Sequence, residues 1–468
     1  MQDLVIIGGG AGGLVIASVA AQLGLKVTLV EKEPKLGGDC LHYGCIPSKT
    51  LIKTAKVASL MRRGQEFGLL DFNPKVDLGK VNDHVQDVID HIQKHDDPDR
   101  FRSYGCDVIF GTARFADKNS IRVNDRTITG KRFVLATGSR PMIPPIPGLA
   151  ESGYLTNIDI FSLRELPDRL IVLGGGAIGV EMAQAFGRLG SKVTIVERSD
   201  RLLPVEDPDI ANELKNILMN DGIDVLTSTT AESVERNSDE ISLHCDNDRS
   251  ITGDQILVAV GRVPNIEDLN LVAAGVKTDK GKVTVDRRLR TSQKHIYACG
   301  DVCGPYPFTH MAEYQAGIVL SNAVFRFPKK THYSVVPWVT YTDPELARVG
   351  QTEAQAREQG ITPTVLRFEF KDIDRALTGV ATHGFTKLVT HKGKILGASM
   401  LGPHAGELIH EIVLAMQTGT KIGDISATIH AYPTLAQVHK RTVNTFYGEK
   451  LFSPRTRMIV KWINRLLP

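Results

Sequence analysis

At 468 residues the chain exceeds the size at which one hydrophobic core stops growing, so three or so lobes of roughly 100–150 residues are expected. Lys and Arg number 56 against 53 Asp and Glu, and the resulting net charge of +3 makes no case for a nucleic-acid or polyanion partner. Six cysteines are too sparse for a disulfide scaffold, and no run of about 18 apolar residues offers a transmembrane span.

The N-terminal run Leu4-Val5-Ile6-Ile7 follows no basic stretch and is interrupted by Gly8-Gly9-Gly10, so it reads as a strand and turn rather than a signal peptide. A cytoplasmic location is the expectation. In a reducing compartment a close cysteine pair is redox-active or metal-binding rather than structural.

Residues 4–31 align without a gap on residues 170–197. Each copy reads as a buried strand, a glycine turn, a helix and a second strand ending in Glu. Gly-x-Gly-x-x-Gly alone is a weak signal. Here it follows an apolar strand, opens a helix, precedes an acid at fixed distance, and does so twice. Gly8 and Gly174 permit the tight turn, Gly10 and Gly176 let a pyrophosphate approach the backbone, and Gly13 and Gly179 let helix and strand pack closely. The helix N-terminus then holds the anion, and Glu31 and Glu197 would accept from a ribose. Two units imply two dinucleotides.

Further along, Phe133 to Pro141 reads as a strand ending on a glycine turn, with Pro141–Pro147 as a linker between lobes. Ile256 to Asn265 repeats that strand and turn in the second unit. Ile296 to Asp301 is another strand ending in Gly-Asp before a helix. From about Trp338 the pattern shifts to alternating strand-like runs, at 387–389 and 395–398, with helices around 405–418 and 434–446. The fold class expected is α/β, with two Rossmann-like dinucleotide-binding domains and a C-terminal α+β lobe.

The most specific segment runs from Gly37 to Lys49, with Cys40 and Cys45 five apart, Gly44 relieving crowding, and Pro47-Ser48-Lys49 closing it. A helix start near the cysteines would lower thiol pKa. His42 alone is a poor additional ligand, so no metal site is read here. This segment closely resembles that of the class I pyridine nucleotide–disulfide oxidoreductases, the family of lipoamide dehydrogenase, glutathione reductase and mercuric reductase. The other motifs follow in the family's order over almost the whole chain.

The resemblance implies FAD at Gly8, Gly10, Gly13, Glu31 and Gly38, with Lys49, Ala113, Thr137, Gly138, Ser139, Asp301 and His310 completing its site. Asp301 would hold the ribityl chain, and the helix around Phe308–Ala312 would aim its N-terminus at the flavin. It implies NAD(H) at Gly174, Gly176, Gly179, Glu197 and Gly261. Cys45 would face the flavin, Cys40 would meet substrate, and Lys49 and Glu181 would form the ion pair beside the flavin. The implied domains are 1–145 with 272–336 for FAD, 146–271 for NAD(H), and 337–450 for dimerisation. Glu197 suits a free 2′-hydroxyl and would repel a 2′-phosphate, which favours NADH over NADPH, although Arg198 and Arg201 nearby would soften the preference.

The chain also departs from the pattern. Disulfide-reducing members carry a His-Pro near the C-terminus, with a Glu five residues after the His, as a base supplied by the other subunit. By register Tyr432 replaces that His and Gln437 that Glu. A phenol with pKa of about 10 is no near-neutral base for a thiol. Either His430 or His42 is a candidate substitute. Asp39 and His42 stand where many members have Thr and Asn, with opposite expected effects on the thiols. Cys299 and Cys303 form a second pair near the flavin position, and read as small buried cysteines.

After Glu449 the chain has no acid, while Lys450, Arg455, Arg457, Lys461 and Arg465 are basic. Met458, Ile459, Trp462, Ile463, Leu466 and Leu467 make one apolar helical stripe. This tail, residues 451–468, suits an anionic membrane surface or a partner groove, or else docks on the dimer's own surface. The expected function is a homodimeric flavoenzyme passing electrons from NADH through FAD and Cys40–Cys45 to a small disulfide, a soft metal ion or another electrophile. The competing readings are an electron-delivery component docked by its tail and a dihydrolipoamide dehydrogenase with a substitute base.

Overall fold

The computed structural model describes residues 1–246 and 248–466, with residues 449 and 450 by backbone alone; Leu467 of the tail stripe lies outside the described residues. Three sheets carry the chain. The first is wholly parallel, with strands Ile296–Ala298, Phe133–Leu135, Leu4–Ile7, Val27–Glu31 and Cys106–Phe110 in spatial order. Its central strands are unbroken apolar runs because both faces are covered, one by helices and the other by the small antiparallel sheet over 114–129.

The second sheet, also parallel, orders Asp224–Leu226, Lys192–Val196, Arg169–Leu173 and Gln255–Val258. Here the structure extends the repeat. In both units a three-stranded antiparallel sheet follows, over 114–129 and 231–253, and then a strand returns to lie beside the first. The last strands of those insertions match as well, residues 124–130 and 247–253 being identical at six of seven positions, so the repeat runs beyond the 28-residue glycine core and the returning strand.

The third sheet is antiparallel, ordered Pro337–Thr340, Glu345–Gly350, Lys394–Gly402, Phe385–His391 and Thr364–Glu369. Helices Ala405–Thr418 and Gln437–Leu451 pack on it. The second helix lies later than the 434–446 span expected, because 428–436 is taken up by a turn segment. The strand before Gly300-Asp301 ends at Ala298, and the next helix starts at Thr309, within the Phe308–Ala312 span expected.

What positions the site is the packing of helix Cys45–Arg62 against helix Ala177–Leu189 of the second unit. Leu51, Ala55, Val180, Ala183 and Phe186 share one buried cluster there. A polar seam runs alongside. Asp343, from the loop before Glu345–Gly350, bonds Arg188 at 2.7 Å and Lys56 at 2.8 Å, and Arg188 also reaches Asp221 at 3.0 Å. Burial works against the Asp343 carboxylate, but Arg188 and Lys56 hold its pKa below the ordinary value.

Removing that carboxylate leaves the buried Arg188 short of its best partner. Asp343→Ala is expected to cost about 3–5 kcal/mol in denaturant unfolding at neutral pH. A depressed carboxylate stabilises above its unfolded pKa and loses that contribution as pH falls through the folded value. The deficit should therefore shrink in acid, below about pH 4.

Candidate active site

Both glycine turns open onto one continuous cavity of about 1680 Å³, roomier than the roughly 300–1,000 Å³ of a single drug-sized pocket. Gly8 and Gly174 share φ +111°, and a Cβ on either would strike a backbone carbonyl, of Ala136 or Ala259. Gly13 and Gly179 lie beneath the cavity, against the carbonyls of Gly8 and Gly174. Gly10 and Gly176 are different. A Cβ on Gly176 would meet no protein atom within 4 Å, and one on Gly10 only Gly38 Cα at 3.7 Å.

These two glycines are the N-caps of helices Ala11–Gln22 and Ala177–Leu189, and neither helix start is bonded by a capping side chain. Open space before unpaired first-turn N–H groups is what a pyrophosphate requires. Glu31 accepts from Gly9 N at 2.6 Å and Glu33 N at 2.9 Å, and Glu197 repeats this with Gly175 N and Ser199 N, both at 2.6 Å. Each carboxylate is thereby fixed at the cavity wall with lone pairs left for ribose hydroxyls. The residues present fit two dinucleotides.

Cys40, Cys45, Lys49 and Glu181 line the same cavity between the two turns. Cys40 lies on the short helix Gly38–His42 and Cys45 opens the helix Cys45–Arg62. A Cβ on Gly38 would sit 2.8 Å from Gly10 Cα, so the cysteine segment is seated directly on the first glycine turn. A Cβ on Gly44 would likewise crowd Asp39 O, at 3.0 Å. Cys40 and Cys45 are free thiols that interact with each other. That interaction lowers the Cys45 pKa, with help from Thr309 Oγ1 at 3.5 Å and from Lys49, against the effect of burial. The same interaction, with burial, raises Cys40 well above its ordinary value. The Lys49 charge thus favours Cys45 as the thiolate of the pair.

Lys49 Nζ bonds Glu181 Oε2 at 2.8 Å, and Glu181 Oε1 accepts from Tyr341 N at 2.8 Å. The Glu181 side chain is 5% exposed, so both its oxygens depend on these donors. Burial disfavours the Lys49 ammonium, yet Glu181 beside it holds its pKa above the ordinary value. Its Nζ also stands 4.4 Å over the Tyr341 ring.

Ala113, Thr137, Gly138, Ser139, Asp301, His310 and Gly261 complete the lining. Burial raises the Asp301 carboxyl, while Ser139 Oγ donates to it at 2.6 Å. His310 stacks on Phe308 and its Nε2 lies 2.9 Å from Pro337 O. Cys299 is fully buried with its pKa pushed up to about 12, and burial raises Cys303 as well, which leaves both as unreactive thiols.

Tyr432 is not brought to this cavity by its own chain. It is 67% exposed, and Asp374 accepts its hydroxyl and raises its pKa. His430 has its Nε2 on Glu411 at 3.0 Å and its Nδ1 on Thr428 O at 3.3 Å, with a side chain 5% exposed. His42 Nε2 bonds Leu36 O at 2.8 Å. Thr309, Tyr341, Arg262 and Asn157 escaped the sequence reading. Each meets the cysteine segment or its ion pair across more than 100 residues, and no local pattern marks such contacts.

Residues 2–316 match the family described as pyridine nucleotide-disulphide oxidoreductase, and residues 336–443 match its dimerisation domain. The chain is 37% identical to a mercuric reductase of Staphylococcus aureus, over 95% of this chain and 82% of that one. It is 36% identical to a dihydrolipoyl dehydrogenase of Bacillus subtilis, over 96% of this chain and 97% of that one. The fold superposes on the HOCl-induced flavoprotein disulfide reductase RclA from Escherichia coli with TM-score 0.86 and 30% identity, covering 94% of this chain and 99% of that chain. A Cu(II) complex of the same reductase matches equally well, with TM-score 0.86.

The close approach at the first turn has a direct test. Gly8→Ala is expected to purify with little bound FAD, because the added methyl displaces the turn from Ala136 O. The ratio of flavin to protein absorbance measures the loss.

Proposed function

The chain belongs to the pyridine nucleotide-disulphide oxidoreductase family, and on that premise we propose how its residues divide the work. It is an FAD- and nicotinamide-dependent oxidoreductase, and the matched dimerisation domain makes it a homodimer. In our reading residues 1–145 and 272–336 hold FAD, residues 146–271 hold the nicotinamide dinucleotide, and residues 337–450 form the dimer contact. The single observation carrying this is that Cys40, Cys45, Lys49 and Glu181 share one cavity with both glycine turns. A cytoplasmic location remains part of the reading; no described helix is long and apolar enough to cross a membrane.

Bound FAD would supply two-electron transfer between a reduced nicotinamide and a disulfide. Overall, NADH and one proton yield NAD⁺ while the Cys40–Cys45 disulfide becomes the dithiol; the dithiol returns to disulfide as an acceptor takes two electrons. Lys49, held by Glu181, would set a positive charge beside Cys45 and favour its thiolate. Cys40, which keeps the proton, would face the acceptor. The preference for NADH rests on Glu197, whose carboxylate is fixed at the wall. Arg201 is turned toward Asp200 and Pro204 O, which leaves Arg198 as the near cation.

The acceptor follows from what the output side lacks. A disulfide acceptor needs a proton moved at Cys40, and Tyr432 is a phenol. His430 already uses both ring nitrogens within its own chain, so a dihydrolipoamide dehydrogenase with His430 as base is the weaker reading. A soft metal ion takes electrons from thiolate sulfur without that proton, so it is the favoured acceptor ahead of a small disulfide or another electrophile. The mercuric reductase relatives and the Cu(II) complex of the similar reductase support this choice.

Anaerobic NADH titration is expected to raise a long-wavelength thiolate–flavin absorbance band, absent in Cys45→Ser. Its persistence in that variant would overturn the assignment of Cys45. Steady-state NADH oxidation should be fast with cupric or mercuric ion and slow with lipoamide or glutathione disulfide. Fast lipoamide turnover that collapses in His430→Ala would reverse the ranking.

The tail supports a second contact. Helix Pro454–Leu466 has no buried residue; Met458, Trp462 and Leu466 are exposed along one line, with Ile459 and Ile463 beside them. Arg457, Lys461 and Arg465 recur at four-residue spacing along the adjoining edge, and five cations with no acid follow Glu449. This composition suits an anionic lipid surface. Full-length protein should co-sediment with phosphatidylglycerol vesicles and a chain lacking residues 453–468 should not. Full-length protein left in the supernatant refutes the contact, and dimer dissociation on truncation assigns the tail to the dimer instead.

A further inference from the structure

Asp39 directly precedes Cys40, and an unpaired carboxylate beside a thiol pair disfavours the thiolate. Both of its oxygens are taken. Oδ2 lies 3.1 Å from Arg262 Nη2, and Oδ1 accepts from Asn157 Nδ2 at 3.2 Å. That same amide donates to Tyr43 O, between the two cysteines, at 2.9 Å. Arg262 is held from its other side as well: Nε donates to Ser139 Oγ at 2.8 Å and Nη2 to Ser139 O at 2.9 Å. Ser139 Oγ in turn donates to Asp301 Oδ2 at 2.6 Å. The guanidinium is largely buried, with 17% of the side chain exposed.

The chain path makes this arrangement informative. Arg262 follows Gly261, where the return strand of the second unit ends, and the strand Arg262–Pro264 pairs antiparallel with Ser139–Pro141 at the matching place in the first. One planar fork of donors therefore ties the cysteine segment to both dinucleotide units, a geometry that a lysine point charge does not reproduce.

We propose that Arg262 is a positioning residue of the redox pair, which neutralises Asp39 and locks the Cys40 helix to the Ser139–Asp301 edge of the flavin site. The inference rests on the reading of Cys40–Cys45 as the redox couple. Its consequence is electrostatic. With Arg262 present the Asp39 charge is compensated, and Lys49 governs the thiolate. Without it a carboxylate faces the dithiol form and favours the disulfide. Without Asp39 the unpaired guanidinium acts in the opposite direction.

The test is the midpoint potential of the Cys40–Cys45 couple in the holoenzyme, read by equilibration with dithiothreitol buffers and thiol counting. Arg262→Gln should move the dithiol–disulfide equilibrium about tenfold toward disulfide, a potential ~30 mV lower. Asp39→Asn should move it the other way, and the double variant should return to within about twofold of wild type. Shifts of the same sign in both single variants, or a double variant that fails to return, would mean a merely structural contact and overturn the proposal. Four coincident potentials would overturn it too, while leaving the redox pair intact. A wild-type enzyme with no such couple would remove the functional reading and this inference with it.

Discussion

Two helices from different dinucleotide units, Cys45–Arg62 and Ala177–Leu189, lie side by side, and the Lys49–Glu181 bond at 2.8 Å is the polar contact set into that packing. Glu181 cannot be buried there without a counter-charge, and Lys49 cannot be held charged without Glu181. Tyr341 N closes the arrangement from the third sheet by taking the other carboxylate oxygen. Elements of all three main sheets' regions therefore meet at one ion pair, beside Cys45. The seam through Lys56, Arg188 and Asp343 continues the same junction.

The two dinucleotide units are the same device used twice and then differentiated. Glycine placement, carboxylate orientation and the returning strand coincide, down to the same φ at Gly8 and Gly174. What separates them is what lies against each turn. The first carries the cysteine segment, seated through Gly38 on Gly10. The second carries Glu181, at the position where the first has Val15 packed on the core. The asymmetry divides the parts: one unit bears the cysteine pair and Lys49, and the other supplies the carboxylate that holds Lys49 in place.

The far end of the path has no comparable provision. Tyr432 is exposed, while His430 and His42 are committed to Glu411 and to backbone carbonyls. With neither Tyr432 nor His430 brought to the cysteines by its own chain, the site suits the proposed acceptor, one that binds sulfur directly. The same economy explains Asp39. A carboxylate in the cysteine segment would oppose the thiolate, and the fold answers it with Arg262 instead of removing it.

The sequence by itself determined the two dinucleotide folds and the Lys49–Glu181 pair, and it singled out Cys40 and Cys45, the proposed redox pair, which the structure brings into the same cavity. These features are written in short spacings: glycines that only a close backbone approach requires, an acid at a strand end, and cysteines five apart on a helix start. The helix expected at 434–446 begins at Gln437, because residues 428–436 form a turn segment that periodicity does not mark, whereas the helix expected around Phe308–Ala312 begins at Thr309. Only the tertiary structure decided that Thr309 supports Cys45, that Tyr341 completes Glu181, that His430 is spent on Glu411, and that Asp39 is neutralised. Each of these is a contact between residues far apart in the chain, made by a hydrogen bond whose geometry depends on how whole sheets pack. Local pattern carries no trace of it.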